Sequence, residues 1–600
     1  MAITTAQIQQ LYVAYLGRAA DKAGLDYWFN QLNGSTTTPA TLTLENLRAN
    51  FVNEQPEYTN AYAGLTRSET VSKIYLQLFG HSADAAGLEY WTTGGGATVN
   101  TDQLLVAFIN GASATDSKVV ANKVLVSEVY TAAAGANYTA DDAKAAIANV
   151  DDTTASVTSA LTTISALPGI AQPANVALVQ ADIAAQAAVT SYEASKVDSL
   201  KALNDKIVAL NATHTANLTP ITDGADTGTV AGDSYSEVAV AINNATLLRD
   251  NISGSSTDDL KTAAADAAQN LVDARATLVN TDVNAVAKIN AYNAAVAADA
   301  KVAAVDATAV TNTEASFDGI LGAGSNQATF DAAVTSYKTA SGSTATISTS
   351  ADLYAELVGA AGNSAKLAQL DTAFGANSAY SSAYSTLKTL AATDAAKQAS
   401  VAKVDAAETA VGNAYVTASE ASVAATKVLA DAQAADALVA QATAETNAHD
   451  AVVNSAADAH TAVTGNAAIH DLDAVTPVVD GSGSPAELFY FSSIKATDDF
   501  SLTNFTKGDA IYVGTGLTFN SSVTVGTDGY AVGTNTAAKE IYFTKDATSG
   551  DVQVNIETNA VGHTAGTGNT DNVAVITLTG VTDVSQVAYA NGVISTTHAA

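Results

Sequence analysis

Over most of this chain apolar residues recur every three or four positions, and only near the end do they recur every second one. Ile8, Leu11, Tyr12, Tyr15 and Leu16 follow the spacing of one helix face, as do Val71, Ile74, Tyr75, Leu78 and Phe79. LLVAFINGA (104–112), SKVVANKVLVSEVY (117–130) and the stretch 141–164 continue the helical period. Leu200, Leu203, Ile207 and Leu210 are spaced as a coiled-coil seam, and 257–317 and 385–463 read as long alanine-rich helices. DVQVNIE (551–557) alternates strictly and NVAVITLTG (572–580) nearly so, as strands do. The expected fold is multidomain α+β: a helical N-terminal domain over 1–165, an Ala-rich long-helix bundle over 174–475, and an all-β domain over 486–600.

The punctuation supports this division. Pro168 and Pro173 separate the first two regions, and no proline lies between Pro220 and Pro477, which favours long helices. Turns are expected at 221–234, 320–327, 341–350 and 358–365, where Gly, Ser, Thr and Asp cluster. Small side chains favour close-packed helix bundles over a globular core in the middle.

The N-terminal domain contains a duplication. Residues 6–32 (AQIQQLYVAYLGRAADKAGLDYWFNQL) and 69–91 (ETVSKIYLQLFGHSADAAGLEYW) align with a shift of 63 positions, and both tryptophans of the chain fall in the matching Tyr27-Trp28 and Tyr90-Trp91 pairs. Each copy reads as helix, turn, helix. Gly17 and Gly80 stop the first helix in a left-handed conformation, Asp21 and Asp84 cap the second, and Thr66 with Glu69 has capping-box spacing.

The motifs YLGRAADKAGLDYW and LFGHSADAAGLEYW resemble a helical repeat of bacterial extracellular proteins (DUF4214-like) and the start of Campylobacter-type surface-layer proteins. The resemblance is specific over 5–92 and weaker through 122–135. It implies an N-terminal region that anchors the subunit to lipopolysaccharide. At the other end, 496–513, 551–558 and 571–587 are similar to the C-terminal domain of type I-secreted proteins of the RTX and surface-layer kind. That likeness implies an uncleaved C-terminal signal read by type I secretion machinery. One departure matters: no GGxGxD nonapeptide is repeated, so the calcium-binding β-roll is not carried over.

Composition narrows the function classes. The chain has 600 residues, 26 Lys plus Arg against 60 Asp plus Glu, and a net charge of −34, which disfavours a nucleic-acid partner. The acidic surface suits solubility, divalent cations, or self-assembly screened by them. There is no Cys, and the one Met is the first residue, so disulfides, thiolate metal sites and thiol oxidation are excluded. No stretch is apolar enough to span a membrane, and the N-terminus lacks the pattern of a Sec signal peptide.

Candidate sites carry two readings each. Tyr27, Trp28, Tyr90 and Trp91 either form a sugar-stacking surface or pack the core of each repeat. Asp498, Asp499, Asp509, Asp528, Asp546, Asp551 and Asp571 either bind calcium or form turns. Paired acids Asp141-Asp142 and Asp151-Asp152 suit helix starts. The seven histidines make no HExxH or other close ligand pair, and no GxSxG elbow or strand-linked phosphate loop occurs, so nothing here asks for catalysis. The expectation is therefore a non-enzymatic surface-layer subunit at the bacterial cell surface. Its partners would be itself, lipopolysaccharide and the secretion machinery, with calcium as a cofactor. The alternative is an extracellular filament or adhesin subunit.

Overall fold

The computed structural model describes residues 3–34, 39–170, 172–224, 230–254, 257–474, 478–480, 486–491, 493–495, 498–522, 524–525, 531–532, 537–560 and 573–599. They fall into two compact units, one of 1–251 with 435–600, the other of 252–434. As the apolar periods predict, the N-terminal and middle regions are helical and the C-terminal region is built of strands.

In the first unit the N-terminal helices share one core. Leu25 of the first repeat and Ile74, Leu78 and Phe79 of the second join Leu47 and Phe51 of helix Leu44–Glu54 and Phe108 of helix Leu104–Asn110. Helix Ala114–Ala134 runs through it with Val120, Val126, Val129 and Tyr130 buried. The core does not stop at Pro168. Ala177, Ala181 and Ala185 of helix Ala174–Asn211, and Ala456 and Ala459 of helix Asn413–Thr464, belong to it as well. Alanine is what lets these long helices approach. Their register is pinned by polar links between them: Tyr192 and Lys196 each reach Glu445 at 2.8 Å, and Glu193 meets His449 at 3.0 Å.

The second unit holds helices that the alanine content announces, and a core that it hides. The 257–317 stretch divides into Thr257–Thr281, Ala285–Asp299 and a helix that begins at Ala307. The turns foreseen at 320–327, 341–350 and 358–365 separate Ala307–Leu321, Asn326–Ser341, Ser350–Ala360 and Ser364–Leu370. These short helices enclose Phe317, Phe330, Tyr337, Phe374, Tyr380 and Tyr384, all at most 3% exposed. The expectation of bundles without a globular core does not hold here. Six large rings outweigh the surrounding alanines, because each buries far more apolar area.

The strands begin at Ile469, ahead of the change in composition near 477. Sheet one orders β1 (Ile469–Asp471), β3 (Leu488–Tyr490), β5 (Ala510–Tyr512), β13 (Val593–Thr596) and β12 (Val587–Ala590). Sheet two orders β2 (Val478–Asp480), β4 (Asp499–Thr503), β11 (Val573–Thr579), β10 (Val552–Glu557), β9 (Glu540–Lys545) and β6 (Thr518–Phe519). A separate pair joins β7 (Thr524–Val525) to β8 (Ala531–Val532). From β1 to β5 the chain alternates between the two main sheets, and each strand pairs in parallel with the one two before it. This is a flattened parallel coil, completed by the antiparallel strands β9–β10–β11 and the β12–β13 hairpin. Asn591 and Gly592, at φ 51° and 84°, make the two-residue hairpin turn. Strands β3 and β5 of sheet one are buried on both faces. Phe489 and Ile511 point into the sandwich, whereas Leu488, Tyr490, Ala510 and Tyr512 pack with Val176, Val179 and Val463 from the helices. That explains why β3 and β5 read as apolar runs instead of alternating.

Candidate functional site

The geometry of the repeated helix-turn-helix follows from its motif. Thr4 with Gln7, and Thr66 with Glu69, close capping boxes at the start of each copy. Each first helix widens into a π-helical turn, Tyr12–Leu16 and Tyr75–Phe79, and ends on a left-handed glycine, Gly17 at φ 65° and Gly80 at φ 82°. The Asp21 carboxylate then accepts from Gly24 N at 2.7 Å, and Asp84 from Gly87 N at 2.6 Å.

The glycine of the Gly-Leu-acid-Tyr-Trp sequence has a steric reason. A Cβ on Gly24 would stand 2.8 Å from the Tyr12 hydroxyl, and one on Gly87 2.5 Å from the Tyr75 hydroxyl. Each hydroxyl is thus pressed against the start of the second helix, beside the capping aspartate. Burial first, and then the neighbouring Asp21 or Asp84, push both phenols above their ordinary value.

The four aromatic candidates divide by role. Trp28 lies edge-on to Phe51 with ring centres 6.5 Å apart, and Trp91 stacks on Phe108 at 4.4 Å, so both tryptophans pack onto the core. Tyr27 and Tyr90 do not: they are 53% and 51% exposed. Each stands edge-on to its own tryptophan, at 5.1 Å and 5.0 Å. Tyr90 is held further by Gly94–Gly96. A Cβ on Gly96 would lie 2.5 Å from a Trp91 ring carbon and 2.9 Å from one of Tyr90, and a Cβ on Gly95 3.1 Å from Tyr90. Arg67 fixes this loop by donating to Trp91 O, Val99 O and Gly96 O at 2.6, 2.9 and 2.7 Å. The result is a tyrosine ring with one side packed on backbone and the rest in water. Such a ring offers an exposed apolar face with a polar hydroxyl at its tip.

Residues outside the shared motif join the copies. Gln77 Nε2 donates to Ala14 O at 3.0 Å, and its Oε1 accepts from the Tyr62 hydroxyl at 2.9 Å. Lys123 Nζ donates to Gln77 O at 2.9 Å and Leu78 O at 3.1 Å, taking up carbonyls of the second π turn. Burial lowers the Lys123 ammonium to about 8.

The weaker likeness at 122–135 keeps part of the pattern without the π turn. Tyr12, Tyr75 and Tyr130 are each followed by a glycine of positive φ five residues on (Gly17, Gly80, Gly135) and by a helix cap nine residues on (Asp21, Asp84, Thr139). The Tyr130 hydroxyl again meets that cap, donating to Thr139 O at 3.1 Å. Ala145 and Ala146 replace the Tyr-Trp pair.

The described β-region aspartates each serve their own turn or strand end. Asp498 accepts from Lys495 N, Asp546 from Thr548 N and Ser549 N, and Asp551 from Gly580 N, while Asp499 is exposed. Buried Asp509 anchors Glu487 N and Thr506 N. Asp528 and Asp571 lie outside the described residues. Among the described residues no group of three or more His, Asp or Glu gathers to hold a metal ion. His81, His449, His460 and His470 each face a single carboxylate within 3.3 Å.

Residues 3–45 match the family described as Domain of unknown function (DUF4214). No curated protein and no solved structure matches the chain. Among the described residues no helix is long and apolar enough to cross a membrane.

Proposed function

We propose that this chain is a structural subunit of a bacterial surface layer. Its N-terminal helical turns would hold it to the polysaccharide of lipopolysaccharide, and the remainder would make subunit contacts. The observation that carries the reading is the Tyr90 ring, kept half-exposed on the Gly94–Gly96 loop, with Tyr27 exposed to a similar degree beside Trp28 in the first copy. A large ring backed by packed backbone on one side leaves its other side available to a ligand. The DUF4214 match over 3–45 and the likeness of both ends to secreted surface proteins support the same reading. The net charge of −34 suits subunits whose contacts are bridged or screened by divalent cations such as calcium. Export would follow the type I route.

The test is co-sedimentation of the full chain with lipopolysaccharide carrying or lacking its polysaccharide. Binding is expected only to the polysaccharide-bearing form, and Tyr27→Ala with Tyr90→Ala together should abolish it. Equal binding to both forms, or full binding by the double variant, would remove the anchoring role.

A further inference from the structure

The residue after the left-handed glycine is Arg18 in the first copy and His81 in the second. Arg18 Nη1 donates to Ala19 O, the carbonyl of the next residue, at 3.2 Å, and its Nε donates to Glu57 Oε1 at 2.7 Å. His81 meets the same pair of acceptors. Its Nδ1 lies 2.9 Å from Ser82 O, again the carbonyl of the next residue, and its Nε2 lies 2.8 Å from Asp116 Oδ1. Both carboxylates come from helices outside the repeat, Glu57 from Pro56–Tyr62 and Asp116 from Ala114–Ala134. Each turn is fastened by one side chain set between its own backbone and a neighbouring helix. The first copy uses a permanent cation there, and the second a titratable one.

Carbonyl and carboxylate oxygens only accept hydrogen bonds. A neutral imidazole carries a single N–H, so in that form one of its two contacts sets a ring lone pair against an oxygen. Only the imidazolium, with an N–H on both nitrogens, serves both. We infer that His81 is a pH-sensitive clasp, which holds the second turn to helix Ala114–Ala134 while the ring is charged and loses one of its two partners when it is not. The titratable groups facing the ring are Asp116, Asp84 at the cap of the following helix, and the Tyr75 phenol, whose ring centre is 5.7 Å away. Both carboxylates favour the charged form. Asp116 first, and then the Ser82 carbonyl, hold the ring above its ordinary pKa of about 6.5. The clasp therefore contributes stability that is complete below about pH 6.5 and is lost as pH rises through the higher folded value. The His81 side chain is 51% exposed, so the effect is that of a solvated pair, roughly two- to five-fold in the local opening equilibrium. The first turn has no such dependence, because the Arg18 guanidinium keeps its charge throughout.

The experiment follows the histidine ring nitrogens of the isotopically labelled full chain by NMR from about pH 5 to pH 9, with His81→Gln assigning the signal. Both His81 nitrogens are expected to stay protonated above about pH 6.5, and Asp116→Asn should lower the midpoint. A parent midpoint at or below about 6.5, or one that Asp116→Asn leaves in place, would overturn the clasp. Hydrogen exchange, corrected for its intrinsic pH dependence, reads the consequence. Protection of the turn at 80–84 relative to that at 17–21 should fall roughly two- to five-fold between about pH 6 and pH 9 in the parent. His81→Arg should abolish that fall, and Arg18→His should confer one on the first turn. No fall in the parent, or an equal fall in His81→Arg, would also overturn the clasp. The parent titration needs no variant to fold, so it decides the point even if Arg18→His does not.

Discussion

Gln77 donates its side-chain amide to the backbone carbonyl of Ala14, the residue that occupies its own position in the preceding copy. Corresponding points of the two π turns therefore meet, as they do where like elements pack about a two-fold relation. A π turn leaves carbonyls that its own backbone does not fully serve, and here side chains from elsewhere supply the donors.

Gln77→Ala should destabilise the helical domain by about 1–3 kcal/mol, because both Ala14 O and the Tyr62 hydroxyl lose a partner in a packed setting. Chemical denaturation followed by tryptophan fluorescence reads this directly, since both tryptophans lie in the repeats. A change within error would show that the contact between turns is incidental.

The Gly87–Tyr75 fit is testable as a pair. Gly87→Ala forces a Cβ against the Tyr75 hydroxyl and should cost about 1–3 kcal/mol. Tyr75→Phe removes the obstructing oxygen, so the double variant should recover a large part of that loss, with a coupling of roughly 1 kcal/mol or more. Strictly additive losses would mean that the glycine serves some other purpose. The same cycle at Gly24 and Tyr12 should give the same sign.

Lys123 gives a pH signature. Its folded pKa, about 8, lies below the ordinary lysine value, so the unfolded chain holds more protons on this group between about pH 8 and 10.5. Stability linked to Lys123 therefore rises with pH across that window. Lys123→Met should flatten this component of the stability profile relative to the parent, and an unchanged slope would contradict the burial of the charge.

Glu557 works in the opposite direction. Burial raises its carboxyl to about 7, and the charge of Glu540 beside it adds to the rise. Between about pH 4.5 and 7 the folded chain holds more protons, so stability linked to Glu557 falls as pH rises through that window. Glu557→Gln should match the parent near pH 4 and exceed it in melting temperature at pH 8. A variant less stable than the parent at pH 8 would show that the ionised carboxylate is needed.

Local features were readable from the sequence because they depend on neighbours along the chain. Gly17, Gly80, Asp21, Asp84 and the Thr66–Glu69 box take the roles their spacing predicts. The two alternating segments became β10 and β11, paired antiparallel. What depends on distant residues was not readable. Gln77 looks like an ordinary polar position until the second π turn meets the first. The aromatic core of the second unit was hidden because Phe317 and Tyr384 are scattered among alanines across several short helices. The parallel coil was hidden because its three-residue strands are too short for any period to register. Within the candidate site, the Tyr-Trp pairs were visible as a repeat, but only burial separates the packed tryptophans from the exposed tyrosines. The run of three glycines at 94–96 was the one sequence signal that pointed to the loop under Tyr90.

The measurement that tests the central claim most directly is negative-stain electron microscopy of the purified full chain, with calcium and with a chelator. A surface-layer subunit should form planar sheets with calcium that dissolve on chelation. Monodisperse particles in both conditions would contradict intrinsic self-assembly, and fibres in both would make the chain a filament subunit.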